Sequence, residues 1–194
     1  MKLSKIVVAS HNQGKIDEIK TLLKPFNIEV VSSAELNIGD IEETGTTFSE
    51  NAKIKAEATS LMCGLPCIAD DSGLCVDALN GRPGVYSARY APNRDFKLGM
   101  QKLLEEIEQT KSPNRKAHFS CCIAFAVPNQ KTSVFEGRVD GTIADKPQGT
   151  NGFGYDPIFI PEGYEQTFAE LGNDIKNAMS HRHRALEKFI QTIK

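Results

Sequence analysis

The 194-residue sequence lacks the features of several classes of protein. Its formal net charge is -2, so it lacks the basic excess with which a general nucleic-acid binder displaces counterions. The first apolar run, residues 6–9, is too short for a signal peptide or a membrane span. We therefore expect a cytoplasmic protein with neither a nucleic acid nor a membrane as partner.

Paired cysteines and flexible linkers are also missing. The five cysteines are odd in number and form no CxxC pair, which favours free thiols in a reducing cytosol. A zinc site at Cys63 and Cys67 is the alternative, although the four histidines lie far away in the sequence. Because there is no internal repeat, low-complexity tract or linker rich in Pro, Gly or Ser, residues 1–194 are predicted to form a single domain.

The pattern of apolar residues predicts an α/β fold. A β-branched strand over residues 5–10, a helix over 15–23 and a strand over 28–31 form a β-α-β unit, which is typical of parallel pairing. Two long strands over residues 118–127 and 132–139 follow each other closely and make the sheet mixed. The remaining predictions are a helix over residues 47–62 with a capping box at Thr47 and Glu50, a strand over 67–69, a helix over 93–108 and a helix from Ser180.

The turn between the first strand and the first helix, residues 10–15, is the first candidate site. The N-terminus of a helix offers free N–H groups and the positive end of the helix dipole, and both attract phosphate. Lys15 in the first turn is unfavourable unless an anion binds beside it. A P-loop is excluded because Ile16 stands where the magnesium-binding hydroxyl should be. A plain turn with a solvated lysine remains the alternative.

Adjacent carboxylates form the second candidate site. Asp70 and Asp71 follow the predicted strand over residues 67–69, at the end where α/β sheets bind ligands. Their repulsion would be relieved by Mg²⁺, which prefers one or two carboxylates together with phosphate oxygens. Glu42 and Glu43 are a second acidic pair. Turn and capping roles for the aspartates, and a solvated loop for the glutamates, are the alternatives.

Two later segments also combine unusual residues. The start of the last helix, residues 180–183, carries Arg and two His where the helix dipole disfavours cations, which points to an electron-rich ligand group. In residues 149–157, Phe153 stands among glycines and resembles a platform on which a nucleobase stacks. A frayed helix start and an ordinary tight loop are the alternatives.

Six stretches in this order carry a family resemblance: SHNQGK, EETGTTFSENA, ADDSGL, GRPGVYSARYA, GTNGFGYDPIF and SHRHRAL. With them the chain resembles the inosine triphosphatase-like pyrophosphatases, which hydrolyse ITP, dITP and XTP to monophosphate and pyrophosphate. The resemblance implies an elongated α/β fold with a mixed, twisted sheet flanked by helices, two lobes with an active-site cleft between them, and a homodimer. The Maf-like pyrophosphatases and a non-enzymatic nucleotide sensor are the alternatives.

The resemblance also implies roles for individual residues. Asp71 matches the general base and a Mg²⁺ ligand, and Glu42 matches the other metal ligand, with Glu43 left open. Arg182 would meet the 6-oxo group of the purine, which adenine replaces by an amino donor. The residues implied to bind the purine nucleoside triphosphate are Ser10, His11, Asn12, Gln13, Gly14, Lys15, Lys55, Ser72, Phe153, Gly154, Tyr155, Asp156, Lys176, His181 and Arg182.

Overall fold

The structure, a computed structural model, describes residues 3–193. The predicted domain of residues 1–194 therefore has terminal residues, 1, 2 and 194, that lie outside the described part. Six strands form one sheet in the order β2-β1-β3-β4-β5-β6. The strands are β1 (Lys5–Val8), β2 (Glu29–Ser32), β3 (Cys67–Val76), β4 (Lys116–Ala126), β5 (Ser133–Ile143) and β6 (Phe159–Pro161).

Helices flank this sheet, and the predicted α/β fold is confirmed. The helices are α1 (Gln13–Leu23), α2 (Phe48–Cys63), α3 (Phe96–Gln109), α4 (Phe168–Leu171), α5 (Asn173–Met179) and α6 (His181–Ile193). Strand β1 pairs in parallel with both β2 and β3, whereas β5 and β6 are antiparallel. The sheet is therefore mixed, as predicted.

Local signals fix the ends of α2 where the sequence predicted them. Thr47 accepts a hydrogen bond from the backbone of Glu50, whose side chain accepts one in return, so the capping box is confirmed. Gly64 closes the helix in the left-handed conformation, with φ of 69°. The strand that follows differs from the prediction. β3 continues to Val76, so Asp70 and Asp71 lie inside a strand and not at its end.

The chain divides into two compact units. Unit 1 comprises residues 1–71, 121–137 and 182–194, and unit 2 comprises residues 72–120 and 138–181. Unit 1 buries two apolar clusters, in which β1 contributes Ile6 and Val8 to one and Val7 to the other because successive side chains of a strand alternate between faces. Unit 2 has its own core, in which Leu74 and Phe159 are fully buried.

Candidate active site

The N-terminal turn of α1 in unit 1 has the backbone geometry of an anion site. The side chain of Asn12 caps the helix by accepting a hydrogen bond from Lys15 N at 3.2 Å, and Ser10 Oγ accepts one from Asn12 N at 3.1 Å. Gly14 is part of the first turn, and His11 Nδ1 lies 2.6 Å from Asp40 Oδ1. The structure thus places Lys15 at the positive end of a helix.

Asp70 is the centre of a buried ion-pair network in unit 1. Its side chain is fully buried, and its carboxylate pairs with the ammonium of Lys15 and with Arg182 Nε at 2.9 Å. Cys121 Sγ lies 2.9 Å from the same carboxylate and donates to it. Burial alone would raise the pKa of Asp70, but Arg182 and Lys15 hold it well below the usual value. Asp70 therefore carries a negative charge that Lys15 and Arg182 balance inside the strand.

Arg182 joins this network to α1. Its guanidinium, whose side chain is 1% exposed, pairs with Asp70 and also with Glu18 of α1. Burial would lower the pKa of Arg182, but the two carboxylates raise it above the usual value. With Lys15, the network holds two positive and two negative charges. Base recognition by Arg182 stays a prediction, since the partners seen in this structure are carboxylates.

Asp71, the predicted general base, lies beside a different cation. Lys55 Nζ is 3.8 Å from Asp71 Oδ1, and it also contacts Glu43 Oε1 at 2.5 Å and the carbonyl oxygen of Asp70 at 2.9 Å. Burial raises the pKa of Asp71 to about 6, against the lowering effect of Lys55 and Lys15. Asp71 Oδ2 is buried with no donor in hydrogen-bond geometry among the described residues, although the Asn51 side chain also acts to lower the pKa of this carboxyl.

That buried oxygen fits a divalent cation, because a carboxylate oxygen without a donor is a ready hard ligand. Glu43 lies close enough to raise the pKa of Asp71, whereas Glu42 is exposed. Within residues 3–193 there is no cluster of three or more His, Cys, Asp or Glu side chains that could hold a metal by itself. Such a site would need phosphate oxygens to complete it, which is how Mg²⁺ commonly binds. The assignment of Glu42 as a ligand stays a prediction.

A second group of predicted residues meets inside unit 2. Asp156 Oδ2 accepts hydrogen bonds from Lys176 Nζ at 2.6 Å and from Phe153 N at 2.9 Å. Lys176 and Asp156 are almost completely buried, and Lys176 Nζ lies 4.4 Å from the centre of the Phe153 ring. Gly152 has φ of 76°, and a Cβ there would lie 2.1 Å from Asp156 Oδ2, so only glycine fits.

Other predicted residues are placed differently. His181 is 4% exposed, and its ring stacks on Phe119 of β4, with ring centres 4.8 Å apart and planes 11° apart. Ser72 lies within β3, in unit 2. Gln13 is bound to Asp17 on the exposed side of α1. The roles of these residues in substrate binding stay predictions.

Two residues that contact the Asp70–Arg182 pair were not predicted from the sequence. Glu18 is one residue of an amphipathic helix, and Cys121 is one of two adjacent cysteines in a strand. Neither carries a local signal of its contact with Arg182 or Asp70. Asn51 is fully buried on α2 and accepts a hydrogen bond from Gly45 N at 2.8 Å, which closes the EETG turn onto the helix.

The chain is similar to a family of known proteins over nearly its whole length. The family model described as the Ham1 family matches residues 6–192. The chain belongs to the Ham1 family. A dITP/XTP pyrophosphatase of Agrobacterium fabrum is 49% identical, over 96% of this chain and 94% of the relative. A dITP/XTP pyrophosphatase of Bacillus subtilis is 47% identical, over 96% of both chains.

Solved structures of Ham1 proteins agree with the fold. A HAM1 protein from Coxiella burnetii is 43% identical and superimposes with a TM-score of 0.90, over 98% of both chains. Membership of the Ham1 family confirms the resemblance to the inosine triphosphatase-like pyrophosphatases, and the Maf-like alternative falls away. Among residues 3–193, no helix is long and apolar enough to cross a membrane. All five cysteines, which include Cys63 and Cys67, are free thiols.

Proposed function

We propose that this protein hydrolyses non-standard purine nucleoside triphosphates (dITP, XTP and ITP) to the monophosphate and pyrophosphate. The observation that carries the proposal is Asp71, a buried carboxylate with a pKa of about 6 and one oxygen without a hydrogen-bond donor. A general base is most effective when its pKa lies near the working pH. Relatives at 47–49% identity bear the name dITP/XTP pyrophosphatase, which supports this reading.

The triphosphate is proposed to bind the N-terminal turn of α1 and the two lysines of unit 1. Lys15 stands at the positive end of the helix, and Ser10, Asn12 and Gly14 precede it or share its turn. Lys15 is paired with Asp70 in this structure, and Lys55 with Glu43. Their ammonium groups would supply the positive charge that phosphoryl transfer needs on non-bridging oxygens.

Mg²⁺ is proposed as the cofactor, held by Asp71 together with Glu43 or Glu42. When bound, Mg²⁺ would neutralise part of the negative charge on the phosphate oxygens. Asp71 orients a water molecule toward the α-phosphorus and accepts its proton on a carboxylate oxygen. Lys55, 3.8 Å away, stabilises the ionised form of Asp71 from which that step begins. Lys15 would offset part of the negative charge of the leaving pyrophosphate. No covalent intermediate is required.

The base is proposed to be recognised by the residues gathered around Asp156 in unit 2. Phe153 offers an aromatic face, and Lys176 lies over the ring at 4.4 Å. A cationic side chain can donate a hydrogen bond to the 6-oxo group of a purine. Adenine has an amino group at position 6, which is itself a donor, so the same side chain discriminates against it. Two donors facing each other in a buried site leave polar groups unpaired, which costs about 1–3 kcal/mol.

A kinetic panel tests this proposal. Wild-type enzyme is assayed with dITP, XTP, ITP, dGTP and dATP in the presence of Mg²⁺, and pyrophosphate release is measured. We expect kcat/KM to be highest for the three non-standard purines. Asp71→Asn should lower kcat about 10²- to 10⁴-fold, the usual contribution of a positioned base. Equal rates on all five nucleotides, or a folded Asp71→Asn variant with normal turnover, would remove the proposal.

A homodimer and a cytoplasmic location complete the proposal. The dimer is inferred from the sequence resemblance alone, and analytical ultracentrifugation tests it directly. The location is supported by the five free thiols, which are typical of a reducing compartment.

A further inference from the structure

The segment of residues 81–91, GRPGVYSARYA, has no role in the proposed function, although it is one of the stretches that carry the family resemblance. In the structure, Gly84–Arg89 forms a 3₁₀ helix in unit 2. Ser87 is buried within it, and its hydroxyl accepts a hydrogen bond from Leu74 N at 2.9 Å and donates one to the Gly84 carbonyl at 2.7 Å. These contacts fix the backbone of Ser87 against strand β3.

The backbone carbonyl of Ser87 receives one further donor. Tyr155 Oη lies 2.8 Å from it and donates, and the Tyr155 side chain is almost completely buried. The ring of Tyr155 packs edge-on against Phe96, with centres 5.5 Å apart and planes at 87°. Burial raises the pKa of Tyr155, so the phenol stays protonated and remains a donor at all physiological pH values.

Tyr155 follows Phe153 in a segment that glycine makes adaptable. Gly152 and Gly154 have φ of 76° and 63°, and both can reach many more backbone conformations than other residues. The contact of Asp156 with Lys176 holds one end of this segment, and Tyr155 holds its middle. Without the second contact, the ring of Phe153 would be less restricted, and ordering it would cost part of the binding free energy.

We infer that the hydrogen bond from Tyr155 to Ser87 positions residues 153–156 for base binding, so that both are positioning residues for substrate selection. This inference rests on the proposed function, since it assigns the base to that segment. Residues 81–91 then have a role in this function, because their 3₁₀ helix presents the Ser87 carbonyl that fixes residues 153–156. The effect is confined to the base and leaves the triphosphate contacts unchanged.

Gly99 of α3 supplies an independent way to disturb the same hydroxyl. A Cβ at this position would lie 3.1 Å from Tyr155 Oη, so the phenol would have to move by a few tenths of an ångström. Alanine is also a better helix former than glycine. Gly99→Ala therefore displaces the Tyr155 hydroxyl from the Ser87 carbonyl without weakening α3. A change in KM for this variant then reports on the position of Tyr155 and not on a loss of stability.

The test compares Tyr155→Phe with Tyr90→Phe. Both variants lose one phenolic hydroxyl, but that of Tyr90 donates to Glu106 and not to Ser87. KM and kcat for dITP, the inhibition constant of inorganic tripolyphosphate and Tm are measured for wild type, both variants and Gly99→Ala. Tripolyphosphate carries no base, so its inhibition constant reports on the phosphate contacts alone.

We expect Tyr155→Phe and Gly99→Ala to raise KM for dITP about 3- to 10-fold, the factor of one net hydrogen bond. The kcat, the tripolyphosphate constant and the Tm of Gly99→Ala should stay near wild type, as should every value for Tyr90→Phe. Parallel changes in dITP and tripolyphosphate, or an unchanged KM, would overturn the inference. Wild-type turnover of dITP tests the proposed function separately, and calorimetric binding of dIMP gives the same comparison without turnover.

Discussion

Asp71→Asn should make the protein less active and, at neutral pH, more stable. Burial raises the pKa of Asp71 from a reference value of 3.8 to about 6. A carboxyl with a raised pKa favours folding while it is protonated and opposes it once ionised. The difference of about two pKa units, at about 1.36 kcal/mol each, corresponds to roughly 3 kcal/mol of unfolding free energy.

The sign of the pH dependence follows from these values. Below about pH 4 the carboxyl is protonated in both the folded and the unfolded state, so its contribution is fully present. As the pH rises from about 4 to about 6, the unfolded chain ionises first and stability falls. Above pH 7 the loss is complete. Asparagine cannot ionise, so the variant should gain about 3 kcal/mol over wild type at pH 8 and little at pH 4.

Urea unfolding with EDTA present measures this effect, because a bound metal would stabilise only the wild type. At pH 8 the Tm should also rise by about 6–12 °C, given roughly 2–4 °C for each kcal/mol in a chain of this size. Asp145→Asn is the control, since the Asp145 side chain is 91% exposed. A variant less stable than wild type at pH 8, or a difference independent of pH, would refute the reasoning.

Three further predictions concern the ion pairs and the metal. Arg182→Ala should lower the unfolding free energy by about 3–5 kcal/mol, because it leaves two buried carboxylates without their shared cation. Urea unfolding at pH 7.5 measures this loss, and a loss under 1 kcal/mol would contradict the ion-pair network. Lys176→Met should raise KM for dITP more than it changes kcat, since the charge beside Phe153 and Asp156 is lost, and a purely kcat effect would speak against base binding there. EDTA should abolish turnover and added Mg²⁺ should restore it; activity that survives chelation would exclude the metal.

Local sequence signals predicted the elements whose ends depend on neighbouring residues. The capping box at Thr47 and Glu50 and the glycine at position 64 set the ends of α2 because their hydrogen bonds and backbone angles are local. The β-α-β unit at the start of the chain was predicted in the same way, from a short apolar run and from apolar residues at helical spacing. These parts of the fold needed no information from distant residues.

Asp70 shows what local patterns could not predict. Two adjacent aspartates favour a turn, yet β3 continues through them because Arg182, 112 residues away, and Lys15 neutralise the buried carboxylate. Glu18 and Arg182 are 164 residues apart, and nothing in either segment identifies the other. The sequence predicted that Arg182 binds the substrate, and that role stays a prediction. The structure adds that Glu18 and Asp70 balance the charge of Arg182. Tertiary electrostatics overrode the local preference.

The site of water attack tests the proposed function most directly. Hydrolysis of dITP in H₂¹⁸O, with Mg²⁺ present, is followed by mass spectrometry of both products. If Asp71 directs water to the α-phosphorus, the products are dIMP and pyrophosphate, and the ¹⁸O atom is in dIMP. Label in pyrophosphate, or formation of dIDP and inorganic phosphate, would contradict the account.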